Sequence, residues 1–345
     1  MRPAPLTAAA SSSRWAGVAA WPLALSAGLA QAASIAWPWG GQPLWWLQLL
    51  SLALLARLAL AAPSARRAAA LGWVFSTAWL SGTFWWLFIS MHTYGGLAAP
   101  LAVAAVLGLA AFLGCYYAVA LGCFKALAPA RRALAAIIFA GLWLLAELAR
   151  GVWWTGFPWG AGGYAHVDGP LAVLARWGGI YGIGWVAAVL AGILAQLRAS
   201  DLRRARSGVA VALAVLAWAG LTADRHCAVE LCHTAMARPA SLSLALLQGN
   251  IPQDEKFQPG TGVPVALQWY EEQLKTARAA LVVAPETAIP LLPQQLPPGY
   301  LEGITAHYAQ GGQAALLGIP LGNRDLGYTN SVIGLAPGQP APYRY

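Results

Sequence analysis

A chain of 345 residues that is 59% hydrophobic and 10% charged, with 18 tryptophans, lies far outside the composition of water-soluble domains. Its mean hydropathy of +0.57 fits a polytopic membrane protein. The net charge of +9 does not point to nucleic acid, because the basic residues fall in short clusters between apolar runs rather than along one stripe, and orientation in a bilayer accounts for that placement.

Seven apolar runs follow in chain order: about Trp15 to Trp37, Pro43 to Ala62, Leu71 to Met91, Leu97 to Leu121, Ala133 to Ala149, Pro170 to Leu197 and Gly208 to Ala223. Most approach the roughly 20 residues a helix needs to cross hydrocarbon. The last is the shortest and begins at a glycine. The first follows a basic, serine-rich start like that of a signal peptide, yet the later runs span without any need for cleavage. With the amino terminus inside, the inner segments carry Arg2 and Arg14, then Arg66 and Arg67, then Lys125, Arg131 and Arg132, then Arg198, Arg203, Arg204 and Arg206. The outer loops carry only Arg150. This positive-inside pattern puts the chain after Ala223 on the outer face, which in a two-membrane bacterium is the periplasm. Glu147 and Arg150 lie one helical turn apart at the outer end of the fifth run, and burying either charge alone near the bilayer centre would cost roughly 2.5 kcal/mol or more. An interfacial ion pair is the plain reading. Trp153, Trp154, Phe157 and Trp159 form an aromatic belt at the same level.

Between the membrane runs and the next segment, His226-Cys227 and Cys232-His233 offer soft ligands, but the spacing fits neither a common zinc module nor haem attachment. A local disulfide or two unpaired thiols is preferred in an oxidising compartment, and no metal is assigned. From about Ser241 the texture changes. Ser243 to Gln248 reads as a strand, Val263 to Ala280 as an amphipathic helix, Leu281 to Glu286 as a strand, Tyr300 to Gln310 as a helix, and Ala314 to Pro320 and Tyr328 to Leu335 as strands. Such alternation argues an α/β layered domain. With no return helix after the last strand, one face of the sheet would be poorly covered. Pro285 cannot donate to a ladder and biases Ala284 toward extended geometry, so Glu286 projects from the carboxyl end of its strand. Chemistry in α/β layers is placed at such ends, although a solvated glutamate would look the same from this segment alone.

Three motifs in the second half carry a resemblance: Leu247-Gln248-Gly249-Asn250-Ile251-Pro252-Gln253 with Lys256-Phe257, Pro285-Glu286-Thr287-Ala288-Ile289-Pro290, and Tyr328-Thr329-Asn330-Ser331. Together with Glu147-Leu148-Ala149-Arg150-Gly151, Thr155-Gly156-Phe157-Pro158-Trp159 and Asp168-Gly169-Pro170, they make the chain resemble bacterial apolipoprotein N-acyltransferases over essentially its whole length. The resemblance implies a polytopic α-helical membrane domain followed by a partial α/β nitrilase-like domain of the α-β-β-α sandwich type. On that pattern residues 1–225 are the membrane domain of about seven helices, 226–240 a linker, and 241–345 the amino-terminal half of a periplasmic nitrilase-like domain.

Such enzymes sit in the bacterial inner membrane and move an acyl chain from a phospholipid donor to the terminal amine of a diacylated apolipoprotein, with no cofactor and no nucleic acid. Their chemistry uses a Glu, a Lys and a Cys: the carboxylate takes a thiol proton and the ammonium stabilises the oxyanion. Glu286 matches the general base. The Lys and Cys have no match, since Lys256 and Lys275 precede Glu286, Cys115 and Cys123 sit in or just after the fourth run, Cys227 and Cys232 sit in the segment joining the two halves, and the family's Lys follows a segment like Tyr343-Arg344-Tyr345. A truncated, singly inactive acyltransferase is therefore expected, with a membrane-tethered nitrilase-like amidase or a non-catalytic lipid-binding fragment as alternatives. By resemblance Arg150 lines a cavity and meets a lipid phosphate, with Trp154 and Trp159 as lipid contacts. Phe257 stands where the family commonly has Trp, which keeps an aromatic wall and loses the indole donor.

The topology has a direct check. An impermeant thiol reagent applied to spheroplasts after reduction should label Cys227 or Cys232, whereas labelling that requires permeabilisation would place them on the inner side.

Overall fold

Backbone amides in hydrocarbon must find partners within their own segment, so long apolar runs coil into helices. The computed structural model, which describes residues 7–197, 241–323 and 327–345, shows this, and the chain divides into two units, Met1–Thr234 and Ala235–Tyr345. The first unit contains α1 (Thr7–Ile35), α2 (Trp45–Ala61), α3 (Ala65–Thr83), the short α4 (Trp85–Ile89), α5 (Ala99–Leu127), α6 (Arg132–Val152) and α7 (Ala175–Leu194). Among the described residues, Ala99–Leu127, Arg132–Thr155 and Ala172–Leu194 are long and apolar enough to cross a membrane, and Ala19–Ile35 and Trp45–Ala61 are shorter apolar helices. The run from Gly208 to Ala223, with Cys227 and Cys232, lies outside the described residues.

The third run differs from its expected extent. Ser64 accepts from the Arg67 N–H at 3.2 Å, so α3 starts at Ala65, ahead of the apolar stretch. At the other end Thr83 back-bonds to the Trp79 carbonyl at 2.9 Å and Phe84 leaves helical geometry, after which α4 closes in a wide turn over Ser90–Tyr94. One expected span is thus two helices and a turn.

The interior of this unit is aromatic. Helix α6 buries Ala135, Ala136, Phe139, Ala140, Trp143, Glu147 and Arg150 along one stripe, and α5 presents Leu113, Tyr117 and Phe124. Trp79 of α3 stacks on Trp143 with centroids 5.5 Å apart, and Tyr117 lies 4.8 Å from Trp143. Two basic side chains close helix ends: Lys125 Nζ donates to the Leu60 carbonyl at 2.7 Å and Arg57 Nη1 to the Ala195 carbonyl at 3.0 Å. Both acceptors belong to the last turns of helices, where carbonyls lack a helical partner.

The second unit holds a five-stranded sheet in the order β1 (Leu244–Leu246), β2 (Leu281–Val283), β3 (Ala314–Asn323), β4 (Gly327–Leu335) and β5 (Tyr343–Arg344). The first three strands are parallel, with Leu244, Leu281 and Ala314 in register, and β4 returns antiparallel with Ile333 opposite Leu317. Helices α8 (Gly262–Thr276) and α9 (Tyr300–Gln310) pack Leu267, Tyr270, Leu274, Ile304 and Tyr308 against Val282, Ala315, Leu317, Ile319 and Ile333. Leu244, Leu246 and Leu316 point to the opposite face and are exposed. Helix α8 stops short of its expected end at Ala280 because Gln313 Nε2 takes the carbonyls of Ala277 at 2.9 Å and Ala279 at 2.6 Å, turning the chain into β2.

Two phenols tie the helices together. Tyr300 donates to the Leu267 carbonyl at 2.7 Å and Tyr308 to that of Leu274 at 2.6 Å, the latter an orphan in the last turn of α8. Burial raises both phenols, Tyr308 to about 12. The unfolded phenol ionises near 10, so between the two values the unfolded chain loses a proton that the folded unit keeps. Stability of the second unit should therefore hold up to about pH 10 and fall as pH rises toward 12. Tyr308→Phe should lower the neutral plateau by about 1 kcal/mol and reduce the alkaline fall, with Tyr300 leaving a residue of it. Melting curves at pH 8 to 11, about one unit apart, would show both effects.

Candidate active site

The site grows from an irregularity between β2 and β3. Acceptors two residues apart on one parallel strand normally take donors two residues apart on the next. Here the Leu316 carbonyl accepts from Ala284 at 2.9 Å and the Gly318 carbonyl from Ile289 at 3.2 Å. Pro285, Glu286, Thr287 and Ala288 are thus pushed out of the ladder. Pro285 has no N–H to lose, and the excursion closes on itself when Ala288 N–H donates to the Pro285 carbonyl at 3.2 Å. Thr287 takes φ 51°, a region that β-branched residues rarely enter and that costs on the order of 1–3 kcal/mol. Such strain persists only where the surroundings fix it.

Glu286 stands on the crest of this turn. Its Oε1 accepts from Asn330 Nδ2 at 2.8 Å, and its main-chain carbonyl accepts from Lys256 Nζ at 3.3 Å. The Lys256 ammonium lies 5.8 Å from the Phe257 ring centroid. Two cavities meet here. One of about 420 Å³ is lined by Gln248, Asn250, Lys256, Tyr270 and Glu286, and one of about 760 Å³ by Lys256, Phe257, Glu286, Tyr328 and Asn330. A carboxylate steadied on one oxygen and bordering open space is placed to accept a proton from a molecule bound there. Among the described residues no group of His, Cys, Asp and Glu has metal-ligand geometry.

The structure brings Glu286 and Phe257 to one cavity and adds Asn330, to which sequence reasoning gave no role. The motif around Asn330 was visible, but its partner lies 44 positions away and is met only through the sheet. Arg150, Trp154 and Trp159 belong to the first unit. Arg150 is fully buried: Nε donates to Tyr117 Oη at 3.0 Å, and Nη1 donates to the carbonyls of Phe157 at 2.6 Å and Trp159 at 2.8 Å. Among the described residues Nη2 has no hydrogen-bond partner. Glu147, also buried, accepts the Gly162 N–H at 2.8 Å rather than pairing with Arg150. Both charges of α6 therefore reach forward into the following loop. Gln48 donates to the Gly162 carbonyl, and its Oε1 lies 2.7 Å from His166 Nε2. Held this way, the loop tolerates Trp154 and Thr155 at φ 58° and 74°, and it leaves Trp154 and Trp159 exposed at 81% and 56%.

Comparison with known proteins bears on both units. Residues 27–193 match the apolipoprotein N-acyltransferase N-terminal domain. A protein named apolipoprotein N-acyltransferase from Verminephrobacter eiseniae is 64% identical over 335 residues, covering 94% of this chain and 62% of the relative. Proteins of the same name from Ralstonia nicotianae and Pseudomonas putida are 40% and 35% identical, over 87% and 89% of this chain and 56% and 60% of their own lengths. The chain thus spans 56 to 62% of the length of these curated relatives.

The loop anchoring is open to measurement. Arg150→Lys keeps one charge but cannot serve a phenol and two carbonyls in a planar fork, so amide exchange across residues 154–162 should speed up by about an order of magnitude. Unchanged protection would mean that Glu147 and Gln48 suffice to hold the loop.

Proposed function

We propose that this chain belongs to the apolipoprotein N-acyltransferase family and that the protein it is part of transfers an acyl chain from a membrane phospholipid to the terminal amine of a diacylglyceryl-cysteine lipoprotein through a cysteine thioester. The observation that carries the reading is the Glu286 carboxylate, expelled from the β2–β3 ladder and held by Asn330 beside two cavities. Glu286 takes the thiol proton as the thiolate attacks the donor's ester carbonyl, and returns that proton to the departing lysophospholipid oxygen. The acceptor amine then attacks the thioester, its proton passes to Glu286 and on to the released thiolate, and the amide forms. Lys256 already donates to the Glu286 main chain, Cys115 and Cys123 lie in α5, and Cys227 and Cys232 fall outside the described residues. The thiol, and the ammonium that steadies the oxyanion, are assigned to the portion of the relatives' length that this chain does not span.

On this reading residues 1–225 are the membrane domain, 226–240, outside the described residues, a linker, and 241–345 the first half of a nitrilase-like sandwich, whose second layer would cover Leu244, Leu246 and Leu316. The arginine distribution favours the inner membrane with the second unit in the periplasm. Trp154 and Trp159 in the first unit and Phe257 in the second present exposed aromatic surface for acyl chains, while Arg150, by resemblance the contact for a lipid phosphate, lies buried beneath its own loop.

Glu286→Gln keeps the size and the Asn330 contact but removes the base. In the complete gene product, acyl-enzyme formation from labelled phospholipid should fall by a factor on the order of 100 or more. Formation at the parental rate would reduce Glu286 to a structural residue.

A further inference from the structure

Residue 318 lies in the middle of β3 between the buried Leu317 and Ile319, where a glycine packs nothing and weakens the strand. Its backbone does not demand glycine, since it is not among the positions with positive φ. Space does. A Cβ at residue 318 would lie 2.2 Å from the Pro285 carbonyl oxygen and 2.8 Å from both Glu286 Cα and Thr287 N. All three are backbone atoms, so no side chain could swing aside. The excursion that carries Glu286 therefore rests directly on the bare face of Gly318, whose carbonyl also accepts the Ile289 N–H that resumes the ladder. Two residues along on the same face of β4, beyond Val332 opposite Gly318, Asn330 holds the Glu286 carboxylate from the other side.

We infer that Gly318, acting with Asn330, is a positioning residue for Glu286: the missing side chain sets how closely the crest approaches the sheet, and the carboxamide fixes the carboxylate on it. This rests on the reading of Glu286 as the base. Any side chain at 318 would lift the crest, carrying Glu286 away from Asn330 and from the two cavities. Shifts of about 1 Å in a reacting group are enough to cost on the order of 100-fold in rate. Gly334, on β4 opposite Leu316, is the natural contrast, because a Cβ there would meet Tyr343 Cβ at an ordinary 3.6 Å.

The test is single-turnover acyl-enzyme formation in the complete gene product. Gly318→Ala should lower the rate by about 30-fold or more with half-saturating phospholipid changed less than about twofold, and Gly334→Ala should stay within about twofold of the parent. On a Glu286→Gln background Gly318→Ala should cost less than about threefold, since the group it positions is already gone. A parental rate for Gly318→Ala, or an undiminished cost on the Gln background, overturns the inference. Full activity of Glu286→Gln alone would instead sink the base reading, and the two failures are separable. Where Gly318→Ala yields no folded second unit by protease resistance, Asn330→Ala decides. A fall of about 10-fold or more that disappears on the Gln background supports the inference, and a parental rate contradicts it.

Discussion

The ladder between β2 and β3 moves from Ala284 straight to Ile289 at successive acceptors, Leu316 and Gly318, and what the second unit offers to chemistry depends on that skip. A regular strand would bury residue 286 in the sheet with its neighbours. By ejecting Pro285 to Ala288, the fold lifts a carboxylate out of the layer while returning Ala288 and Ile289 to the core beneath α8 and α9. The strain at Thr287 is the local cost. It is offset by the buried side of the sheet, where Val282, Leu317, Ile319 and Ile333 fix both strands that bracket the excursion.

The first unit uses a related device with different parts. Glu147 and Arg150 belong to the buried stripe of α6, and neither spends its hydrogen bonds on the other. Each instead satisfies main-chain groups of the loop that follows, where backbone polar atoms near hydrocarbon would otherwise lack partners. The result is a strained turn with three outward tryptophans, Trp153, Trp154 and Trp159, anchored from beneath by charges that never reach the surface. In both units a residue in an unfavoured left-handed conformation is held by polar contacts to a rigid element.

Much of this was legible in the sequence wherever one segment determines its own state. The helix Tyr300 to Gln310 and the strand cores around Val282, Leu316 and Val332 follow from periodicity, and the stop at Pro285 follows from a missing N–H. What could not be read are features made by distant pairs. The break at Phe84 arises inside an unbroken apolar run, from Thr83 bonding back to Trp79. The turning of Arg150 away from Glu147 depends on carbonyls at Phe157 and Trp159 that become available only when the loop folds back. Asn330 meets Glu286 because β4 is antiparallel to β3 with Asn330 opposite Pro320, a register that no local pattern encodes. Gly318 carries no local signal, since its meaning lies in the space its neighbour occupies.

An acyltransferase and a hydrolase differ in where the acyl chain ends up. The most direct measurement incubates the complete gene product in membranes with phospholipid bearing an isotopically labelled acyl chain and a synthetic peptide whose terminal cysteine carries a diacylglyceryl thioether. Mass spectrometry then locates the label. Acyl transfer through Glu286 puts labelled acyl chain on the peptide's terminal nitrogen and releases an equal amount of lysophospholipid. Label recovered only as free fatty acid, with the peptide unchanged, would contradict it and make the protein a hydrolase.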